Sequence, residues 1–482
     1  MTQRHARAGR RLVLVLLLAG CSLGPDYKSP VLETPAAFRA TSVSAAQAWP
    51  RADWWRGFNS PDLNTLIDQA EAGSFDIQAA IARVVQADAQ IRISGSALLP
   101  SVNATGTASW SRGFTRRTTF TRGGYIESHS YSLEPSAAYE LDFWGKLRAT
   151  QQSAEASDLF SRFDQQTVAL TTITAVANTW FQALALQDRI DVARRNVSDA
   201  EQILHAIQAR LDAGTASLLD VSQQETLVAG LRAQIPGLQS QLVQSVNALA
   251  ILIGRPPESI TVRPGTLTTL SLPEIAPGLP SEVLARRPDV ASAEADLIAA
   301  NANIRVARAN FFPDVTLSAA GGWQSTAITT LFGPGALLAS ASASVAQTIF
   351  DNGLKGGQYQ QAQGRYDELL ADYRKAVVQA FTDVDDAVDG YRLATEQEAL
   401  EQTAVVTAQR AADIARAQLL AGTIDIVTAL QVQTALYTDL DLLAQDRLAR
   451  FLTLVSIYKA LGGGWSKADT VPLPSTIFHG VL

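Results

Sequence analysis

Asp383, Asp385, Asp386 and Asp389 fall at helical spacings, so some of them share a face and present the hard oxygen donors that a divalent cation such as Ca2+ takes. A solvated acidic face carries the same pattern. Little else in the chain is grouped as catalysis or metal binding requires. Of the four histidines, His5 sits in the leading segment, while His129, His205 and His479 fall in a predicted loop, a helix and the tail, with no motif pairing them. Cys21 is the only cysteine and Met1 the only methionine, which rules out an internal disulfide and leaves no thioether ladder for soft metals. No catalytic residue, cofactor or metal is assigned, and the chain is not read as an enzyme.

The chemistry that does stand out is a modification. Arg4, Arg7, Arg10 and Arg11 precede an apolar run from Leu12 to Leu18, followed by Ala19-Gly20-Cys21, the plan of a secretory signal. The run is far below the roughly 20 residues of a spanning helix, so residues 1–20 are expected to be removed. The small residues before Cys21 look like the lipobox of bacterial lipoproteins, cleaved ahead of the cysteine and acylated on it; a chance cysteine beside an ordinary cleavage site is the alternative. Ser22, standing where Asp would retain such a lipoprotein, resembles the pattern sent to the outer membrane of a diderm bacterium. Loss of residues 1–20 removes four arginines and no acids, moving the net charge from −7 to −11, which argues against nucleic acid as a partner. No remaining stretch reaches the 18 or so uninterrupted apolar residues of a membrane helix. If the chain crosses a membrane, it does so with strands.

The elements that carry these residues occur twice, about 208 residues apart. Ala209-Arg210-Leu211-Asp212-Ala213-Gly214-Thr215 answers Ala417-Gln418-Leu419-Leu420-Ala421-Gly422-Thr423, and Gly254 answers Gly462. Leu98-Leu99-Pro100 matches Phe311-Phe312-Pro313. Each copy reads helix, strand, strand, long helix, helix. The period is too long for a solenoid and indicates two copies of one half fused into one fold.

The strands alternate. Val102, Ala104, Gly106, Ala108 and Trp110 are interleaved with Ser, Asn and Thr, and the apolar set from Tyr131 to Phe143 with Ser130, Ser132, Glu134, Ser136, Glu140 and Asp142. The second copy repeats this from Val315 to Trp323 and from Ala339 to Ile349. A soluble sheet alternates in the same way, but a face this small and rich in hydroxyls does not fill a core. Four strands cannot close a barrel, since about eight are the fewest that do, so several copies must share one.

Gly145–Ala213 and Gly353–Ala421 are predicted proline-free helices of about 100 Å each. Tyr366, Leu370, Tyr373, Val377, Ala380, Val384, Ala387, Tyr391 and Ala394 form a coiled-coil seam in the second; Phe160, Phe163, Thr167, Leu170, Thr174, Ala177, Phe181 and Leu184 form its counterpart in the first. Returning helices follow Gly214-Thr215 and Gly422-Thr423, and Pro236 is expected to bend the first of them.

Gly278-Leu279-Pro280-Ser281, Leu284-Ala285-Arg286-Arg287-Pro288-Asp289-Val290, Ala307-Arg308-Ala309-Asn310-Phe311-Phe312-Pro313, Gly24-Pro25-Asp26-Tyr27, Trp54-Trp55 with Phe58 and Gly254-Arg255-Pro256-Pro257 together resemble the outer-membrane factor family, TolC-like and OprM-like, in its NodT-type lipoprotein branch. The resemblance covers nearly the whole mature chain. It implies a mainly α protein with membrane β: a homotrimer with a twelve-stranded outer-membrane barrel, continued by a long periplasmic helical barrel that the hairpin turns close. It also implies a passive exit duct for small molecules that opens like an iris. Its partners would be a periplasmic adaptor (membrane fusion) protein and an inner-membrane RND-type transporter, with outer-membrane lipid held through acylated Cys21.

Adaptor docking is expected at Gly214, Thr215, Gly422 and Thr423. The family's constriction positions fall on Val427, Thr428 and Gln431, with Asp220 on the first hairpin; the usual aspartates are missing from the second hairpin, so block by divalent cations should be weak. A type I protein-secretion duct and a non-conducting, lipid-anchored coiled-coil envelope spacer are the alternatives. The expected organisation is a signal at 1–20, an extended segment at 21–58, repeats at 59–254 and 282–462, a Pro-rich strap at 255–281 and a tail at 463–482. Loops Arg112–His129 and Ser325–Leu338 are expected outside the cell.

Overall fold

The computed structural model describes residues 27–30, 35, 49–115, 124–273 and 280–467. The leader, Cys21 and His479 lie outside them. The first repeat runs α1 (Pro61–Gly73), α2 (Phe75–Ser96), β1 (Ser101–Thr115), β2 (Gly124–Glu140), α3 (Lys146–Asp212) and α4 (Leu218–Ile253). The second runs α5 (Pro280–Arg286), α6 (Pro288–Ala309), β3 (Asp314–Ser325), β4 (Leu337–Ala346), α7 (Leu354–Ala421) and α8 (Ile426–Ala460). These elements fall into two compact units.

The unit built on Val84–Phe160 and Ala293–Tyr373 contains one antiparallel sheet in the order β1-β2-β3-β4. The central β2–β3 pairing joins the two repeats, and β1 and β4 are its edges. The β1–β2 hairpin is longer than its sequence suggests: the ladder continues up to Thr115 opposite Gly124, so His129 is a strand residue facing Trp110 rather than part of a loop. Polar residues sustain this upper ladder. Arg112 pairs with Glu127 at 3.5 Å, and Phe114 packs edge-on against Tyr125 at 5.3 Å. Apolar alternation is a signal of burial, and it fades where a strand no longer needs a buried face.

Long helices begin where carboxylates collect free amides: Asp142 accepts from the Leu147 and Arg148 N–H groups, and Asp351 from those of Gly353 and Lys355. α3 and α7 then run for 67 and 68 residues, about 100 Å each. The seam residues Tyr373, Val377, Ala380, Val384 and Ala387 of α7 are buried, as are Phe163, Thr174, Ala177, Phe181 and Leu184 of α3. Phe160, 37% exposed, falls outside the seam. α4 continues through Pro236, whose missing N–H leaves the helix unbroken.

The unit built on residues 49–83, Ser161–Ser292 and Arg374 onward has a ring-rich core. Trp54 stacks on Tyr458 at 4.6 Å, and Phe58, fully buried, meets Phe181 at 5.0 Å and Phe451 at 6.0 Å. The tryptophan pair is therefore a core anchor. The strap after Gly254 lies on this core through Ile260 and Leu267, with the Gly265 and Leu267 amides donating to Gln187 and Asp188. Both repeats close alike: Gly254 (φ 74°) and Gly462 (φ 79°) sit so close to the carbonyls of Gly73 and Arg286 that a side chain at either would collide with backbone.

Candidate functional site

The register sorts the sheet into two chemically distinct faces. Asn103 opposes Ser136, Thr105 opposes Glu134, Thr107 opposes Ser132 and Ser109 opposes Ser130. Across the sheet, Glu140 meets Thr316, which meets Ser344, and Ala138 meets Ser318, which meets Ser342. One face is thus hydroxyl-rich from edge to edge. The other gathers Val102, Ala137, Ala319 and Ala341 in one row and Gly106, Leu133, Trp323 and Leu337 in another. Small side chains suit a wall rather than a core: every residue of β4 is exposed, and Trp110 is 61% exposed.

The strand-to-helix junction is stitched by charge and rings. Lys146 at the start of α3 bridges Glu140 at 2.5 Å and Asp314 at 2.9 Å, and these carboxylates hold its pKa up against the lowering effect of burial. Trp144 stacks on Phe312 at 4.8 Å and donates its indole N–H to the Pro313 carbonyl at 2.8 Å.

The two hairpin turns are copies of one device. At each, a glycine takes a left-handed conformation (Gly214, φ 71°; Gly422, φ 74°), and the next threonine's N–H donates five residues back, Thr215 to Arg210 at 2.8 Å and Thr423 to Gln418 at 2.9 Å. The following helix starts differ. Ser217 and Asp220 form a reciprocal capping box on α4, whereas Asp425 alone caps α8 by accepting from the Thr428 N–H at 2.8 Å and its hydroxyl at 3.1 Å. Between the hairpins, the Arg210 guanidinium donates to the Leu419 carbonyl and, at 3.3 Å, to the Thr215 carbonyl of its own turn. Val427, Thr428 and Gln431 are exposed beside the buried Ile426 and Ala429.

A family model described as outer membrane efflux protein matches residues 66–255 and 279–463, most of the chain. The chain belongs to the outer membrane efflux protein family. It is 38% identical over 461 residues to the pyoverdine export outer membrane protein OpmQ of Pseudomonas aeruginosa, covering 93% of this chain and 95% of that one. Similarity to the cation efflux system protein CusC of Escherichia coli is 28% over 460 residues, 94% of this chain and 98% of that one. The solved outer-membrane channel OprN superposes with a TM-score of 0.84 at 28% identity, over 92% of this chain and all of that one. The fold class is that of the trimeric outer-membrane channels, a β-barrel continued by a long α-helical barrel.

Within this efflux family fold two members of the acidic cluster, Asp383 and Asp389, are engaged by arginines. Asp383 pairs at 2.8 Å with the buried Arg287, which also holds Asp289 through two bonds of 3.0 and 2.6 Å and reaches the Ala380 and Ala460 carbonyls. Burial alone would lower the Arg287 pKa, but the bonds and charges of Asp289 and Asp383 outweigh it and hold it above its ordinary value. Asp389 pairs with Arg392 at 3.4 Å. No group of three or more metal-ligating side chains occurs among the described residues. His205 is an exposed residue of α3. Sequence reading missed Lys146, the Arg210 contact and the Glu398 pair with Arg447 and Arg450 (3.1 Å each), all of which depend on partners distant in the chain.

Proposed function

We propose that this efflux-family chain is the exit duct of a tripartite system. As a homotrimer, it conducts small molecules passively through a twelve-stranded barrel and a helical barrel, fed by a periplasmic adaptor and an inner-membrane RND-type transporter. The observation that carries this reading is a sheet with one hydroxyl-rich face, one apolar face and two unpaired edges. In lipid an unpaired edge leaves each amide without a partner at a cost of several kcal/mol, whereas pairing β4 of one copy with β1 of the next removes every edge and turns the hydroxyl face to a water-filled lumen. The similarity to OpmQ and CusC supports export of small solutes and leaves the cargo to the inner-membrane partner.

In this reading Cys21 is acylated and anchors the chain in the outer membrane, residues 59–254 and 282–462 are the two working repeats, and the Gly214-Thr215 and Gly422-Thr423 turns receive the adaptor. Val427 and Gln431 line the narrowest point, with Thr428 and Asp220 beside it, and the tip opens by outward tilt of a hairpin. Exposure of Val427, Thr428 and Gln431 away from local packing supports this. Reconstitution in planar bilayers tests it: discrete single-channel conductance from a detergent-resistant trimer is expected, with weak inhibition by divalent cations. A watertight monomer would rule it out.

A further inference from the structure

The β3–β4 loop carries no charge and displays its largest apolar groups. Residues 315–350 include no Asp, Glu, Lys or Arg, whereas the corresponding hairpin of the first repeat has Arg112, Arg116, Arg117, Arg122 and Glu127. Within the loop Ile328 is 66% and Phe332 69% exposed. Large apolar groups held in the open mark a contact surface. The loop backbone is nonetheless bonded to itself: the Gly333 amide donates to the Thr330 carbonyl and the Ala336 amide to that of Gly333, both at 3.0 Å. Its exposed groups are therefore presented by a formed turn.

Two side-chain contacts give the direction in which the loop leans. Phe332 meets Trp323 edge-on at 5.6 Å, and the Thr330 and Ser325 hydroxyls are 2.6 Å apart. Trp323 and Ser325 project from the same side of β3, the apolar face that also holds Leu133 and Leu337. On the opposite face Gln324 donates to the Ser130 hydroxyl at 3.3 Å. The loop thus rests against the apolar face, and a loop leaning this way is not a lid on the lumen. Its height follows from the strand. Asp314, paired with Lys146, marks the lower border of the charge-free stretch. From Val315 to Trp323 the strand runs about 26 Å, which is about 20 Å along the axis of a barrel whose strands tilt by about 40°. An outer-membrane apolar band is about 25 Å tall, so one that starts at Val315 has its upper border just beyond Trp323.

We infer that this loop is a lipid-binding foot, one per protomer, that lays Ile328 and Phe332 among the acyl chains at the outer-leaflet border. This rests on the barrel reading put forward above. Fully inside hydrocarbon the loop would strand its remaining amides, but at the border they meet headgroups and water while the side chains reach inward. Continuity with the lipid-facing wall selects lipid over a neighbouring copy. Phe332 packs on Trp323 of β3, an interior strand of the protomer's sheet, and not on β1 or β4 at its edges.

The test uses the full-length trimer in phosphatidylcholine vesicles, with and without a lipid that carries a nitroxide near its headgroup. Ile328→Cys, which spares the Trp323–Phe332 contact, and Phe332→Cys are each labelled with an environment-sensitive fluorophore. Ser130→Cys on the hydroxyl-rich face is the aqueous reference, and the unsubstituted chain is the blank for Cys21. Expected at 328 and 332 are a blue-shifted emission and loss of fluorescence to the nitroxide lipid, with little loss to iodide; the order reverses at 130. Strong loss to iodide at 328 and 332 would put the loop in water, and protection from both quenchers would put it under the next copy; either overturns the foot. Fusing the same vesicles to planar bilayers keeps the two readings apart. With no channel, the barrel and the foot fall together; with a channel and labels that read water or protein, only the foot is lost.

Discussion

The two repeats have kept their closures and lost their symmetry in the links. Gly254 and Gly462 press against equivalent backbone carbonyls, those of Gly73 and Arg286, and the two hairpin turns share glycine, threonine and bond pattern. Yet at the point following these carbonyls the first repeat has Ser74, buried with an unpartnered hydroxyl, where the second has Arg287 with its two carboxylates; the acid two residues further on is present in both, Asp76 and Asp289. At the turns, Arg210 reaches across to the second hairpin, while its counterpart Gln418 supplies only a carbonyl to its own turn. Backbone geometry that only glycine satisfies cannot drift, whereas side-chain links can be added to one copy without disturbing the other.

The largest effect should come from the shared feature. Gly462→Ala and Gly254→Ala each combine a strained φ with a backbone collision and should cost several kcal/mol, enough to prevent trimer accumulation in membranes; if one is tolerated and the other is not, the two closures are not equivalent. Next, Arg287→Ala strands two carboxylates and should cost about 3–5 kcal/mol, read as heat stability of the solubilised trimer, whereas Ser74→Ala should be neutral or slightly stabilising because it deletes an unsatisfied hydroxyl.

A smaller effect is expected at the turns. Arg210→Gln makes the first hairpin resemble the second and should raise open probability in bilayers about three- to tenfold, with stability changed by less than about 0.5 kcal/mol; unchanged gating would mean the cross-hairpin bond holds nothing shut. The smallest is a pH effect. Hydrogen bonds from the Thr428 amide and hydroxyl hold Asp425 below its ordinary pKa, so its cap is intact above the carboxylate range and is lost as the pH falls through that lowered value. The α4 start keeps its Ser217 hydroxyl cap, so amide exchange followed as the pH is lowered through and below the carboxylate range should fray α8 before α4.

The sequence announced what is periodic. Alternation from Ser101 to Trp110 gave the wall its two faces, and Gly214, Gly422, Gly254 and Gly462 marked the stops. It understated the β1–β2 hairpin because Arg112, Glu127 and His129 carry no apolar signature. It misjudged Asp383 as part of a solvated face or a cation site because its partner, Arg287, is 96 positions away. The Arg210 contact to Leu419 spans 209 positions and has no spacing rule that could betray it. What stays unreadable is pairing across the chain: residue type gives the capacity for a bond, and only the fold assigns its recipient.

The unpaired borders of the four-stranded sheet carry a genetic consequence. A protomer that cannot satisfy its own margins has no membrane-stable form by itself, so its fate is tied to its neighbours'. A copy that folds its helices but fails at β1 or β4 would enter mixed rings and spoil them. With defective and intact copies made in equal amounts, about one ring in eight would contain only sound subunits, and one damaged allele would act as a dominant poison on export.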